Sequence, residues 1–216
     1  MRVKFGVISL LICLLLFGCA RTATQIVTYG DEMVVEVTLR GTVETGASRY
    51  FLVLASVPEF KVPLPPPDLI ESCPEFIEPG MTPLLGTPEA YYTNFFSSWS
   101  GYVVLDYSGY SLVKGPFVMG QPVTREAFAG LGEINNKISF NFELARVFGG
   151  SIPDTIYLDL VSVPWPAGSA KIPADHLTST NVYISKAAGS TLTVVDEQNS
   201  ALDPSLDILQ CTVTIQ

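Results

Sequence analysis

Histidine is almost absent from this 216-residue chain, and basic residues are few: one His and 12 Lys or Arg stand against 21 Asp or Glu, for a net charge of −9. An acidic balance of this size repels nucleic acid and anionic headgroups, which argues against a polyanion as partner. A zinc site needs three or four His, Cys or carboxylate ligands, and one His with scattered Cys does not supply them. No phosphate loop or dinucleotide fingerprint occurs. A nucleophilic triad needs a His held by a carboxylate. The only such neighbour pair is Asp175-His176, in a Pro-, Ser- and Thr-rich stretch that reads as an exposed turn. No catalytic, cofactor or metal residues are therefore assigned. Only one long apolar run exists, Phe5 to Phe17, so no second membrane segment is expected.

That run follows Arg2 and Lys4, and it is short for a permanent span. A positive start and a brief apolar stretch have the layout of a secretory signal helix. The run ends in Leu16-Phe17-Gly18-Cys19, which resembles the lipobox of bacterial lipoproteins, with Phe17 in place of that family's usual small or β-branched residue. The resemblance implies cleavage before Cys19 and a diacylglycerol on its sulfur. With Ala20 next rather than an aspartate, it also implies sorting to the outer membrane of a two-membrane cell. The expected organisation is a signal peptide over 1–18, a tether over 19–31 and one domain over 32–216. Without Arg2 and Lys4, 10 basic residues face 21 acidic ones, and the net charge becomes −11. Fatty chains would be the membrane attachment.

Four cysteines are present, and Cys13 leaves with the leader. With Cys19 lipidated, Cys73 and Cys211 remain as an even pair in a compartment that permits disulfides. They read either as a bridge across a very long loop or as two buried free thiols.

What the chain has in quantity is Val, Ile, Thr, Tyr and Phe, a mixture that favours strands. Met33 to Val43 alternates, with Met33, Val35, Val37, Leu39 and Val43 on one face. Arg49 to Val57 is apolar on both faces and reads as a central strand. Tyr102–Tyr107 and Tyr110–Val113 form a hairpin about a turn at Ser108-Gly109. Thr124 to Gly130 reads as one helical turn capped by Thr124. Ile138 to Leu144 and Asp154 to Val163 are strands, Ala145–Pro153 and Pro164–Asn181 are loops, and Val182–Ser185 and Thr191–Val195 are short strands. Leu206 to Ile215 closes the chain, with Leu209, Cys211, Val213 and Ile215 inward. Pro58–Pro88 holds nine of the 16 prolines and cannot be central sheet. Its Phe60, Leu64, Leu69, Ile70, Phe76, Ile77, Leu84 and Leu85 argue for an ordered loop lying over an edge or end of the domain. The fold expected is all-β: a single antiparallel β-sandwich of roughly eight to eleven strands, with a long proline-rich loop, after an N-terminal signal helix.

Tyr102-Val-Val-Leu-Asp-Tyr-Ser-Gly-Tyr110 followed by Asn136-Lys-Ile-Ser-Phe-Asn-Phe-Glu-Leu144 bears a faint resemblance to the DOMON-like sandwiches, which include the family nine carbohydrate-binding modules. It implies a sandwich and transfers no sugar clamp or haem ligand. Eight aromatics fall between Tyr91 and Tyr110. Aromatics fill sandwich cores, and they also serve as platforms for sugar rings. Trp99 and Trp165, flanked by turn residues, are the ligand-binding candidates, with Tyr107 and Tyr110. The acidic cluster Asp196, Glu197, Asp203 and Asp207 lacks the Asp/Asn alternation and glycine of an EF-hand and reads as a solvated turn. The functional expectation is a lipid-anchored cell-envelope protein with a non-enzymatic structural or binding role, its partner a glycan or an envelope protein. The alternatives are a carbohydrate-binding module presenting Trp and Tyr, and an envelope hydrolase with a carboxylate pair.

Overall fold

The computed structural model describes residues 28–64, 74–133, 135–177 and 182–216. The expected signal peptide over 1–18, Cys19 and Cys73 lie outside the described residues. Eleven strands form among those described: β1 Glu32–Leu39, β2 Ser48–Ala55, β3 Gly101–Asp106, β4 Gly109–Lys114, β5 Arg125–Ala129, β6 Lys137–Glu143, β7 Thr155–Pro164, β8 Asp175–His176, β9 Tyr183–Ser185, β10 Thr191–Val195 and β11 Ile208–Ile215. Helix among the described residues is limited to α1 (Pro88–Asn94), a 3-10 turn at Phe96–Ser98 and the single turn α2 (Ala145–Phe148). No helix among the described residues is long and apolar enough to cross a membrane.

Two-residue alternation builds one sheet, in the order β10-β11-β1-β6. Met33, Val35, Val37 and Leu39 of β1 and Ile138, Phe140 and Phe142 of β6 are buried, while the intervening residues are exposed or half-buried. The facing sheet has the order β5-β4-β3-β2-β7-β8, with β9 also paired to β7. Its Leu52, Leu54, Val103, Leu105, Leu112, Leu158 and Leu160 meet the first sheet in one apolar cluster. Every strand pair is antiparallel. The architecture is an all-β antiparallel sandwich.

The described parts of the long proline-rich segment, 58–64 and 74–88, lie over a face, not over an edge or end. β2 and β3 carry apolar side chains on both sides, so the outer side of the larger sheet also needs cover. Phe51, Val53, Tyr102, Val104, Val161 and Val163 point outward and pack under Val62, Phe76, Ile77, Tyr91, Phe96, Trp99 and Phe117. Residues 58–64 and 74–88 together with α1 thus form a third layer.

Other local expectations are corrected by long-range pairing. β1 stops at Leu39 rather than Val43, because Gly41 donates to the Pro204 carbonyl at 2.7 Å and a Cβ at Gly41 would stand 2.5 Å from the Pro204 side chain. The hairpin turn is Tyr107-Ser108, since Asp106 pairs with Gly109. Gly109 has φ +106°, which only glycine adopts readily. Thr124–Gly130 is not a helical turn: Arg125–Ala129 is the edge strand β5, drawn into the sheet by β4 and by Phe128 packing on Tyr110 at 6.0 Å. At β11, Ile208 rather than Leu209 faces the core, because the register with β1 shifts at Thr38/Leu39. Residues 145–148 of the expected loop make the turn of α2.

Cys211 is a free thiol buried between the sheets, and burial pushes it up to about 12.

Candidate functional site

The four aromatic candidates part company once the chain is folded. Trp99 is buried, with its Nε1 donating to the Lys61 carbonyl at 2.7 Å and its ring 4.9 Å from Phe96 and 5.8 Å from Phe76. Tyr110 is buried between the sheets, 5.2 Å from Phe140. Neither is a surface platform: their turn-flanked positions lie beneath the third layer and inside the sandwich. Tyr107 is 73% exposed, and Trp165 is half-buried.

Tyr107 and Trp165 line the same open groove of about 440 Å3 at one end of the sandwich. Three connections build it. Residues 45–47 come from the β1–β2 loop, Tyr107 from the β3–β4 turn, and 165–167 from the segment after β7. Trp165 N donates to the Ala47 carbonyl at 2.7 Å, tying two of them together. Arg49, second residue of β2, supplies the only charged side chain among the described residues of the lining, and its guanidinium stacks 4.1 Å from the centre of the Trp165 ring. Such a stack covers one face of the indole with the guanidinium, and Phe51 lies 5.8 Å from the same ring.

A buried ionic cluster holds this surface from behind. Arg49 Nη1 donates to Glu78 Oε1 at 2.6 Å. Arg125 donates to both Glu78 oxygens, at 2.9 and 2.7 Å, and its Nη1 reaches Asp106 Oδ2 at 2.8 Å. Tyr102 donates its hydroxyl proton to Glu78 Oε2 at 3.2 Å. Two carboxylates face two guanidiniums, so the cluster is neutral as a whole. Burial and the Glu78 charge push the Tyr102 hydroxyl well above its ordinary value. Burial alone would raise Asp106, but hydrogen bonds from Ser108 and Arg125 outweigh it and hold the carboxyl below its usual range. Asp106 Oδ1 also accepts from Ser108 N at 2.9 Å and Ser108 Oγ at 2.5 Å, which fixes the turn that carries Tyr107. Arg49, Glu78, Arg125 and Asp106 carry no sequence signal of a site, since lone charges ordinarily mark solvated positions and only the fold buries these.

The same end is stitched across the two sheets. Tyr50 donates to the Ser205 carbonyl at 2.8 Å, Ser162 Oγ to the Leu206 carbonyl at 2.6 Å, and Ile208 N to Asp175 Oδ2 at 2.7 Å. Of the acidic cluster near the last strand, Glu197 and Asp203 are exposed, with Asp203 accepting from Ser205 N and Oγ, each at 2.8 Å, whereas Asp207 is not a solvated turn residue: it is buried and takes Arg40 Nε at 2.5 Å. Among the described residues no group of His, Cys, Asp or Glu is placed to hold a metal ion.

Asp175-His176 is not an exposed turn. The two residues form β8 on the edge of β7 and are half-buried, and His176 Nδ1 faces Asp159 Oδ2 at 3.7 Å, beyond hydrogen-bond reach. Burial pushes Asp175 up to about 6 and raises Asp159, and the Asp159 carboxylate raises His176. All three groups bind protons more tightly folded than unfolded, so stability falls as pH rises. The carboxyl part of the loss develops from an unfolded value of about 3.9 up to about 6 for Asp175. The His176 gain is complete below about 6.5 and fades as pH passes its raised folded value. The expected melting temperature is higher at pH 5 than at pH 7.5. Asp175→Asn keeps an acceptor for Ile208 N and should flatten the pH 4–6 limb. Thermal unfolding across this range decides it, and a melting temperature that climbs from pH 4 to 7 refutes it.

No known protein-family model matches this chain, and neither a curated protein nor a solved structure matches it.

Proposed function

We propose that this chain is a lipid-anchored cell-envelope protein with a non-enzymatic binding role, and that its ligand is a glycan seated on Trp165, Tyr107 and Arg49. The observation that carries the reading is the position of the groove. The described chain enters at the opposite end of the sandwich, where Tyr29 bridges to Ala187, Gly30 N donates to the Lys186 carbonyl and Lys186 N donates to the Asp154 carbonyl, just before β7 begins. The groove lies where β7 finishes, beside the Ser48–Pro164 pair. Ten residues of β7 separate the two ends, roughly 30 Å at strand rise. A domain tethered through Cys19 would then present the groove away from its membrane.

Sugar rings lie on exposed aromatic faces, and a site on fixed turns loses little entropy on binding. The acidic side chains behind the groove are ion-paired to arginine and none lines it, which favours binding over hydrolysis by a carboxylate pair. A glycan array with the mature domain tests the ligand. Binding should fall at least about tenfold in Tyr107→Ala, the loss expected from one stacking contact, and in Trp165→Ala, which removes the ring that holds Arg49 in the groove, and should persist in a variant altered far away, such as Thr193→Ala. Retained binding in both groove variants removes the groove from the proposal. The anchor is tested separately: a clickable fatty acid should label the wild type and not Cys19→Ser.

A further inference from the structure

We infer that the ligand of this groove carries a single carboxylate, as an oligosaccharide with one uronic or sialic acid residue does, and that Arg49 receives it. The inference rests on the glycan reading above and adds the chemical class. Arg49 is the only charged side chain among the described residues of the lining. Among the described residues it spends one hydrogen bond, from Nη1 to Glu78, and its Nε and Nη2 protons have no partner. A guanidinium with two free neighbouring N–H groups is a fork that matches a carboxylate in a bidentate pair.

Arg49 does not need the ligand in order to balance Glu78. That carboxylate is already held on both oxygens by Arg125. Stacking on Trp165 and the bond to Glu78 fix the fork in place before any ligand arrives, so little side-chain freedom is lost on binding. Glu44, the nearest acidic residue along the chain, is exposed and outside the lining. The remaining lining is uncharged: Thr45, the small residues 46 and 47, Tyr107, and Pro166 with Ala167 beside Trp165. Such a site takes a neutral ring on Tyr107 and an acid group on Arg49. The chain's net charge of −9 opposes a densely charged polymer, which limits the ligand to an isolated carboxylate.

The experiment is calorimetric titration of the mature domain with oligosaccharides bearing one glucuronic or sialic acid, each beside its carboxyl-reduced counterpart, in wild type, Arg49→Gln, Arg49→Lys and Trp165→Ala. Glu78 keeps Arg125 in the Arg49 variants, so they should fold, and their melting curves check this. The acidic sugar should bind about tenfold or more tightly than its reduced form. That preference should vanish in Arg49→Gln, weaken in Arg49→Lys and shrink with added salt. Equal binding of acidic and reduced sugars, lost in Trp165→Ala, overturns the carboxylate inference and leaves the glycan reading standing. Binding of neither form by the wild type overturns both.

Discussion

Glu78→Ala should destabilise the protein by about 3–5 kcal/mol, the range for breaking a buried ionic group by removing one partner. Glu78 has 5% of its side chain exposed and accepts four hydrogen bonds: one from Arg49, two from Arg125 and one from Tyr102. Without it, two guanidiniums confront each other beneath the third layer and the Tyr102 hydroxyl loses its acceptor. Arg125 retains Asp106, so Arg49 bears most of the loss. The cost is a penalty for stranded charge and not the net worth of the cluster. Replacing all four charged members, Arg49, Glu78, Asp106 and Arg125, together by uncharged residues of similar volume leaves no charge stranded and should therefore cost less than the sum of the single changes. Chemical denaturation of Glu78→Ala, Arg125→Leu and the double variant measures this. A coupling below about 0.5 kcal/mol between the two sites would mean that the cluster acts as independent surface charges. Glycan binding should weaken alongside stability, because Arg49 and the Tyr107 turn both hang from this cluster.

Trp99→Ala is expected to cost about 3–5 kcal/mol as well, for a different reason. Its indole sits among Phe76, Phe96, Tyr102 and Phe117, with ring centres 4.9–6.4 Å away, and Nε1 holds the Lys61 carbonyl. Truncation opens a cavity between the outer face of the larger sheet and its covering layer. For a chain of this size each kcal/mol shifts the melting temperature by about 2–4 °C, so a fall of roughly 6–20 °C is expected. Trp99→Phe keeps most of the packing and loses the hydrogen bond, for about 1 kcal/mol. Proteolysis of Trp99→Ala should start in the Pro58–Pro88 segment, which is held by these contacts, while the sandwich beneath resists longer. A Trp99→Ala variant within 1 kcal/mol of the wild type would place that indole at the surface after all.

Most of the sheet was legible in the chain because side-chain alternation is a local signal. Met33, Val35, Val37 and Leu39 name a face of β1 without reference to any partner, and Ile138, Phe140 and Phe142 do the same for β6. The apolar runs of β2 and β7 announced strands covered on both sides. Nine prolines excluded the Pro58–Pro88 segment from a sheet, and its Phe and Ile required it to pack. Of the binding candidates, Tyr107 and Trp165 could be picked out by their turn neighbours, but so could Trp99, and nothing local separates an indole under a covering layer from one in a groove. Tertiary structure made that separation. It also turned Arg125–Ala129 from a capped helical turn into an edge strand, since pairing with β4 outweighs the weak preference of five residues. The ionic cluster behind the groove was beyond local reading altogether. Arg49, Glu78, Asp106 and Arg125 lie up to 76 positions apart, and a charge becomes structural only when strand order and a covering loop remove it from water beside its opposite. Period and composition determine which residues turn inward; the order of strands in the sheets decides which of them meet.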